Sequence, residues 1–374
     1  MDILFDSLGA LVSSFQLLSI GQVVMWCIGG ILIYLAIAKE MEPTLLLPMG
    51  FGTILVNIPA VDAITEHGAL TTLFNAGIAN ELFPLLLFIG IGAMIDFGPL
   101  LSNPKLLLFG AAAQFGIFFT LALANGLFGF AVNDAASIGV IAAADGPTAI
   151  FVANTLQSKY SGAIIVAAYS YMALVPMIQP PVIKLLTTKK ERLIRMPYEP
   201  ADVTKTTRIL FPIVITMIAA LVAPLSASLV FFLMFGNLIR ECGVLDSLSE
   251  TAQKVLANLV TILLGISVAL QMQAAQFLKL ETLLILGLGL MGFIFDTFGG
   301  VMFAKLLNLF SKKKINPMIG ASGISAFPMS ARVVHKMGLK EDSQNFLLMH
   351  SIGVNVSGQI ASVIAGGLIL TFFG

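Results

Sequence analysis

Apolar residues run along the chain in long stretches broken by short polar corners, and the length of each stretch decides what it can build. A membrane-crossing helix needs about 20 mostly apolar residues. Ser19 to Ala38 meets that length, and Leu82 to Gly98 and Leu106 to Phe130 follow, parted by the polar corner Ser102-Asn103-Pro104-Lys105. Ser161 to Leu186 and Ile209 to Phe235 are further runs, the second long enough to hold two segments turned at Pro224. Leu256 to Gln271, Thr282 to Leu307 and Phe346 to Phe373 complete the plain set, whereas Pro43 to Pro59 is short and interrupted by Gly and Pro. Two stretches, Ala135 to Leu156 and Ile315 to Ala331, are apolar but broken in the middle. The pattern predicts an all-α polytopic membrane protein with about nine to eleven membrane segments.

Composition agrees. Of 374 residues, 58% are hydrophobic and 11% charged, and the mean hydropathy is +0.98. A soluble domain carries about 25% charged residues to cover its surface; this chain must set apolar side chains against lipid instead. Net charge is zero, which points to no nucleic acid and no acidic partner. Two cysteines, Cys27 and Cys242, and three histidines cannot build a disulfide framework or a Cys/His metal cluster. Met1 to Gly9 carries Asp2 and Asp6 and no basic residue, so it reads as an amphipathic lead-in rather than a cleavable leader. There is no GxxxxGK[ST] loop and no Met-Lys-Met biotin-attachment site.

Basic residues are unevenly placed. Lys184, Lys189, Lys190, Arg192, Arg195, Lys205 and Arg208 crowd one connection, and Lys305 with Lys312-Lys313-Lys314 mark another. The positive-inside tendency puts both on the cytoplasmic side. Thr187 to Thr207 also reads as the boundary between two halves. Ala144-Asp145-Gly146-Pro147-Thr148-Ala149 aligns with Ala321-Ser322-Gly323-Ile324-Ser325-Ala326, and the run ending Gly90-Ile91-Gly92 with the run ending Gly265-Ile266-Ser267. This predicts inverted-repeat-like halves, each with a broken, re-entrant helix: residues 1–76 as leading segments, 77–186 as the first half, 187–252 as connection and linking spans, and 253–374 as the second half.

Asp145 is the first candidate for chemistry, a carboxylate amid Ala, Ile, Gly and Val and followed by Gly146-Pro147. A charge at bilayer depth is expensive unless compensated. The Gly-Pro pair breaks the helix there and frees carbonyl oxygens, giving a hard-oxygen site for Na⁺ or H⁺. The alternative role is capping the second half-helix. The second break, Asn316 to Arg332, offers neutral hydroxyl and amide oxygens, and Asn355 and Ser357 in the closing span add more. Arg332 is a partner for a carboxylate, or else snorkels to the interface. Tyr171 lies mid-span and relays a proton, bonds a substrate ring or packs, with Tyr169 on another face. Asp296, a further carboxylate at membrane depth, serves a second ion site or a salt bridge to a neighbouring span. His350 reads as a hydrogen-bonded core residue.

The runs Asp145-Gly146-Pro147-Thr148, Gln179-Pro180-Pro181 at the end of the Tyr171 span, Asn316-Pro317 through Arg332, and Asn355-Val356-Ser357-Gly358-Gln359 together resemble one family. It is the membrane β subunit of the sodium-transporting biotin-dependent decarboxylases, the oxaloacetate, methylmalonyl-CoA and glutaconyl-CoA enzymes. The resemblance covers nearly the whole chain.

It implies a pump that is also an enzyme of a bacterial or archaeal cytoplasmic membrane. A carboxyltransferase α subunit would load CO₂ onto biotin held by a carrier subunit, with a small membrane-anchor γ/δ subunit completing a complex in which this chain is homo-oligomeric. The β subunit would then decarboxylate carboxybiotin, export Na⁺ and take up a proton. The resemblance places Asp145 as the sodium-binding aspartate and Asn355 as its partner, and Tyr171, Asn316, Gly320, Ser325 and Arg332 on the other functional positions. It makes Asp145, Tyr171, Ser325 and Arg332 catalytic. Tyr171, Asn316, Gly320 and Arg332 would contact carboxybiotin, and Asp145, Asn355, Ser325 and Asn316 would hold Na⁺. Biotin would sit on a partner, not here, and the carboxyl donor stays open. The reading from another class is a stand-alone secondary transporter, a Na⁺/H⁺ antiporter or Na⁺-coupled organic-anion symporter.

Overall fold

The computed structural model describes residues 17–197 and 203–374; the amphipathic lead-in lies outside the described residues, as does part of the basic connection. Every regular element among the described residues is helical. Among the described residues seven helices are long and apolar enough to cross a membrane, or eight if the bent pair Asp62–Gly77 and Leu82–Met94, folded by 56°, counts as one span. The shorter apolar helices Pro43–Val56 and Val132–Ala143 account for further segments in the expected range. The chain is thus a multi-pass membrane protein.

Local chemistry sets several boundaries. Ser19 caps Ile20–Ala38 in a reciprocal box with Gln22. The apolar run around Pro224 does divide, into Lys205–Val222 and Ala227–Glu241 with a tight turn at Pro224–Ser226. One break was not legible in the run: Pro104–Gly126 is interrupted at Gln114, between Leu107–Ala113 and Phe115–Gly126. No proline marks it. Conversely Ser161–Leu186 stays helical through Pro176, Pro180 and Pro181.

The described residues fall into two compact units that are discontinuous in sequence. One holds residues up to Phe83 with Leu259–Leu284; the other holds Pro84–Asn258 with Ile285–Gly374 and contains both broken stretches. Within the first, Gly29 and Gly50 let two helices touch backbone to backbone, a Cβ on either falling 2.7 Å from the other's carbonyl oxygen. Asn57 then donates to the Met272 carbonyl at 2.8 Å and accepts from the Ala274 amide at 2.8 Å. Within the second, Gly92 and Gly236 do the same for Leu82–Met94 and Ala227–Glu241, with a Gly92 Cβ only 1.8 Å from the Leu233 oxygen. Small residues matter here because lipid gives helices no hydrophobic reason to associate, so close contact has to.

Ion pairs tie the basic connection down. Arg192 meets Glu341 at 2.8 Å, Arg195 meets Asp342 at 2.6 Å, and Lys305 meets Glu191 at 3.1 Å. Arg195 and the Gln344 amide hold the Asp342 carboxyl below its ordinary value. Burial pushes Glu191 up, but the Thr188 N–H and hydroxyl, with Lys305, outweigh it and leave the carboxyl low.

Two outcomes are expected. Gly92→Ala should destabilise the chain by about 1–3 kcal/mol through overpacking, read as a lower melting temperature of the detergent-solubilised protein. Because both carboxyls titrate low in the folded state, their contribution is present at neutral pH and is lost on acidification. Hydrogen-exchange protection of residues 187–197 should therefore hold at pH 7 and fall away below about pH 4.

Candidate functional site

At the first break, Val132–Val140 tightens into the turn Ile141–Ala143, and Ala144 then adopts a left-handed conformation, φ 52° and ψ 44°. A non-glycine residue held there stores on the order of 1 kcal/mol or more. Asp145 follows in extended conformation and N-caps Gly146–Thr155, with Pro147 in the first turn where its missing N–H is not needed. The Asp145 carboxylate is buried and four donors converge on it. Thr148 gives its amide to Oδ1 at 3.3 Å and its hydroxyl to Oδ2 at 2.8 Å. Ser362 gives a hydroxyl to Oδ2 at 2.7 Å and Gln359 an amide at 3.4 Å. All four are neutral. The Tyr169 ring lies over Gly146, where a Cβ would meet its Cζ at 2.4 Å, and the Tyr169 hydroxyl is buried with no hydrogen-bond partner.

At the second break, Asn316 caps the turn Pro317–Gly323, accepting from Met318 N–H at 3.1 Å and donating to the Arg192 and Ile194 carbonyls at 3.0 and 2.9 Å. Gly320 presses on Leu280–Phe310, with a Cβ 2.0 Å from the Gly300 oxygen. Gln179, of the Gln-Pro-Pro run, donates to the Ala321 carbonyl at 2.7 Å and exchanges hydrogen bonds with Ser330.

The two breaks touch. The Ser325 amide donates to the Ala143 carbonyl at 3.0 Å, and the Ser325 hydroxyl donates to the Gly358 carbonyl at 3.1 Å. The closing helix, Leu348–Phe373, serves both. Asn355, Gln359 and Ser362 lie at i, i+4 and i+7 on one face. Asn355 donates to the Ile324 carbonyl at 2.7 Å and leaves its own Oδ1 buried and unpartnered, while Gln359 and Ser362 reach Asp145.

Of the residues expected at the site, Asp145, Ser325 and Asn355 are therefore gathered. Asn316 is not: its amide anchors the turn to the basic connection. The Tyr171 hydroxyl donates to the Leu286 carbonyl, tying two spans. Arg332 is exposed and among the described residues forms no ion pair. His350 bonds the Met196 carbonyl at 3.3 Å, as a core histidine does. Asp296, read as serving either a second ion site or a salt bridge, makes no salt bridge among the described residues. Thr148, Gln359, Ser362 and Tyr169 had been given no role. Thr148 was readable as the third residue of an Asp-capped helix, and Ser362 as the next step of the Asn355–Gln359 spacing.

Chemically, this is one carboxylate among hydroxyl, amide and carbonyl oxygens. One carboxylate with neutral oxygens is a donor set that suits a hard monovalent cation. Thr148 and Ser362 now donate to the carboxylate, and each hydroxyl can rotate its proton away and offer a lone pair to an ion. Paired helix breaks around such a site define an ion-translocating membrane protein. Comparison with known proteins makes this specific. Residues 21–373 match the family model described as "Na+-transporting oxaloacetate decarboxylase beta subunit". The chain is 51% identical to the methylmalonyl-CoA decarboxylase subunit beta of Veillonella parvula, over 96% of this chain and 95% of that one. It is 49% identical to the glutaconyl-CoA decarboxylase subunit beta of Acidaminococcus fermentans, over 97% and 96%. It is 45% identical to the oxaloacetate decarboxylase beta chain of Klebsiella pneumoniae, over 98% and 99%. The chain belongs to this family of Na⁺-transporting decarboxylase β subunits. It is a membrane subunit of a multi-subunit decarboxylase whose transported ion is Na⁺, and a stand-alone transporter is not favoured.

Gln179→Leu should remove the bonds Gln179 makes to the Ala321 carbonyl and the Ser330 hydroxyl, leaving those two only each other at 3.1 Å, and so lower stability by about 1–3 kcal/mol. The loss should appear as a lower melting temperature with faster amide exchange in residues 317–331.

Proposed function

We propose that this chain decarboxylates carboxybiotin presented by a biotin carrier subunit and couples that step to Na⁺ export and proton uptake across the cytoplasmic membrane. The partners in this reading are a carboxyltransferase α subunit, the carrier, and a small γ/δ anchor. Three relatives named for three different acids match nearly end to end, so the family name does not assign the acid. The observation that carries the reading is the Asp145 cluster where the two breaks meet. Asp145, the free Oδ1 of Asn355 and the Ser325 hydroxyl are the oxygens we assign to Na⁺, with the Thr148 and Ser362 hydroxyls turning to complete the shell. Asn316 and Gly320 act as positioning residues, fixing the second break against its neighbours, and Tyr171 does so for Leu280–Phe310.

The biotin ring, when carboxylated, supplies an anion that loses CO₂ once moved from water to a less polar place. Two features fit such a guest. Arg332 stands exposed on the Met329–Glu341 helix with no acid against it, free to pair with a carboxylate. A cavity of about 570 Å³ beside the second break has Leu106, Phe109 and Ile319 in its wall and Lys105, Lys313 and Lys314 around it. An anion is drawn in by the charges, and its ring is held by the apolar wall.

The test is CO₂ release by the purified complex with and without Na⁺ and with avidin. Release should be stimulated by Na⁺ and blocked by avidin; an intact preparation that moves Na⁺ but releases no CO₂ would falsify the assignment. Asp145→Asn should reduce Na⁺-dependent turnover by more than about tenfold, or about 1.4 kcal/mol. Ser362→Ala, which removes one neutral donor worth about 1 kcal/mol, should weaken Na⁺ activation by only about fivefold.

A further inference from the structure

The Leu280–Phe310 helix turns one face to the breaks. Gly289 lies against Ile141 and Tyr171, Gly292 against Ala142 and Thr120, and Gly300 against Gly320. Asp296 falls on that face, four residues from Gly292 and four from Gly300, so about 6 Å along the axis from its helix's contact with either break. Its carboxyl is fully buried, no side chain bonds either oxygen, and backbone amides alone reach toward it. The Thr120 and Thr297 hydroxyls are also buried and unpartnered.

What faces Asp296 is backbone. The start of Phe115–Gly126, after the interruption at Gln114, brings the Gly116 and Ile117 amides nearest to it. A Cβ on Gly116 would lie 2.4 Å from Asp296 Oδ1. No cation is supplied by the packed elements, because 107–126, Ile141–Ala143 and Pro317–Gly323 contain no ionisable residue. The titratable groups on or next to those elements are accounted for. Tyr171 bonds the Leu286 carbonyl, Asp145 follows two residues after Ala143 and is held by Thr148 and Ser362, and Asp134 bonds Ser158 and Lys159. Lys105 precedes Leu107–Ala113 at the cavity. On the helix of Asp296 itself, Lys305 pairs with Glu191, and Glu281 sits in the first turn.

A buried carboxylate with backbone amides before it but no cation is still costly, and a proton removes the charge at once. The amides in front of it donate and cannot ligate a metal ion, which disfavours Na⁺ there. We infer that Asp296 is a proton-carrying carboxyl of the pump, separate from the Asp145 ion site, and that it takes up the proton consumed in decarboxylation. The inference rests on the sodium-pump reading. In the reaction the ring nitrogen–carboxyl bond breaks, CO₂ leaves, and the nitrogen takes one proton; Asp296 holds that proton beforehand and is reprotonated from the aqueous phase afterwards. Asp296 is a relay group and need not touch the ring.

The experiment compares the wild-type complex with Asp296→Asn in proteoliposomes, measuring CO₂ release from pH 6 to 9, ²²Na⁺ uptake, and Na⁺ activation. Avidin-sensitive, Na⁺-stimulated release by the wild type comes first, because its absence overturns the pump reading itself. Given that, Asp296→Asn should cut turnover more than tenfold at neutral pH, flatten the pH profile, and leave the Na⁺ concentration for half-activation within twofold. Unchanged turnover and pH profile would overturn the inference, and so would loss of Na⁺ activation, which would make Asp296 part of the ion site. If Asp296→Asn fails to assemble, Asp296→Glu keeps the acid and must shift the pH profile; an unshifted profile overturns the assignment equally. Infrared difference spectra of the wild type provide an independent check, since a carboxylic-acid carbonyl band that responds to ²H₂O and is absent from the Asp296 variant is required.

Discussion

A helix interrupted inside an apolar environment leaves amides and carbonyls with no water to bond, and each group left unsatisfied costs several kcal/mol. The unit that holds the site is organised around meeting that constraint twice. The first break gives the Ala143 carbonyl to the Ser325 amide of the second. The second gives its Ile324 and Ala321 carbonyls to Asn355 and Gln179. The closing helix works on both, and it is accordingly the most interior of the spans, with 67% of its apolar window buried against 11% for Lys205–Val222. Remove that helix face and the first break loses the Gln359 and Ser362 bonds to Asp145, and the second loses the Asn355 bond to the Ile324 carbonyl.

The groups that satisfy the breaks are also those that can hold an ion. Hydroxyls and amides at Thr148, Ser325, Asn355, Gln359 and Ser362 are neutral and can reorient, so a single carboxylate sets the charge of the site while its neighbours adjust. A second carboxylate beside Asp145 would favour a divalent ion and hold it too firmly for transport. Release matters as much as binding in a pump, and one buried charge with adaptable oxygens is the arrangement that allows both.

Glycine contacts bring the parts close enough for this to work. On Leu280–Phe310 a single face meets the first break through Gly292 and the second through Gly300. Any side chain at those points would hold the helix away and open the bonds between the breaks. Family membership gives this geometry its purpose, a Na⁺-transporting decarboxylase subunit. Relatives named for different acids match nearly the whole chain.

By itself the sequence determined the class, the helical architecture and the two broken stretches, because these depend on composition, run length and the backbone limits of Pro and Gly, all of which act locally. Asp145 stood out for the same local reason, as a charge in an apolar run, and Asn355 through a motif. Tertiary structure alone decided which oxygens reach Asp145, since Ser362 is 217 residues away in the chain. It put Tyr169 rather than Tyr171 over Gly146, sent Asn316 to the basic connection, and broke Pro104–Gly126 at a glutamine that carries no breaking propensity. It also left Asp296 without a salt bridge among the described residues. Periodicity fixes which face a side chain occupies, but which faces meet depends on close packing between small residues far apart in sequence. That packing has no local signature.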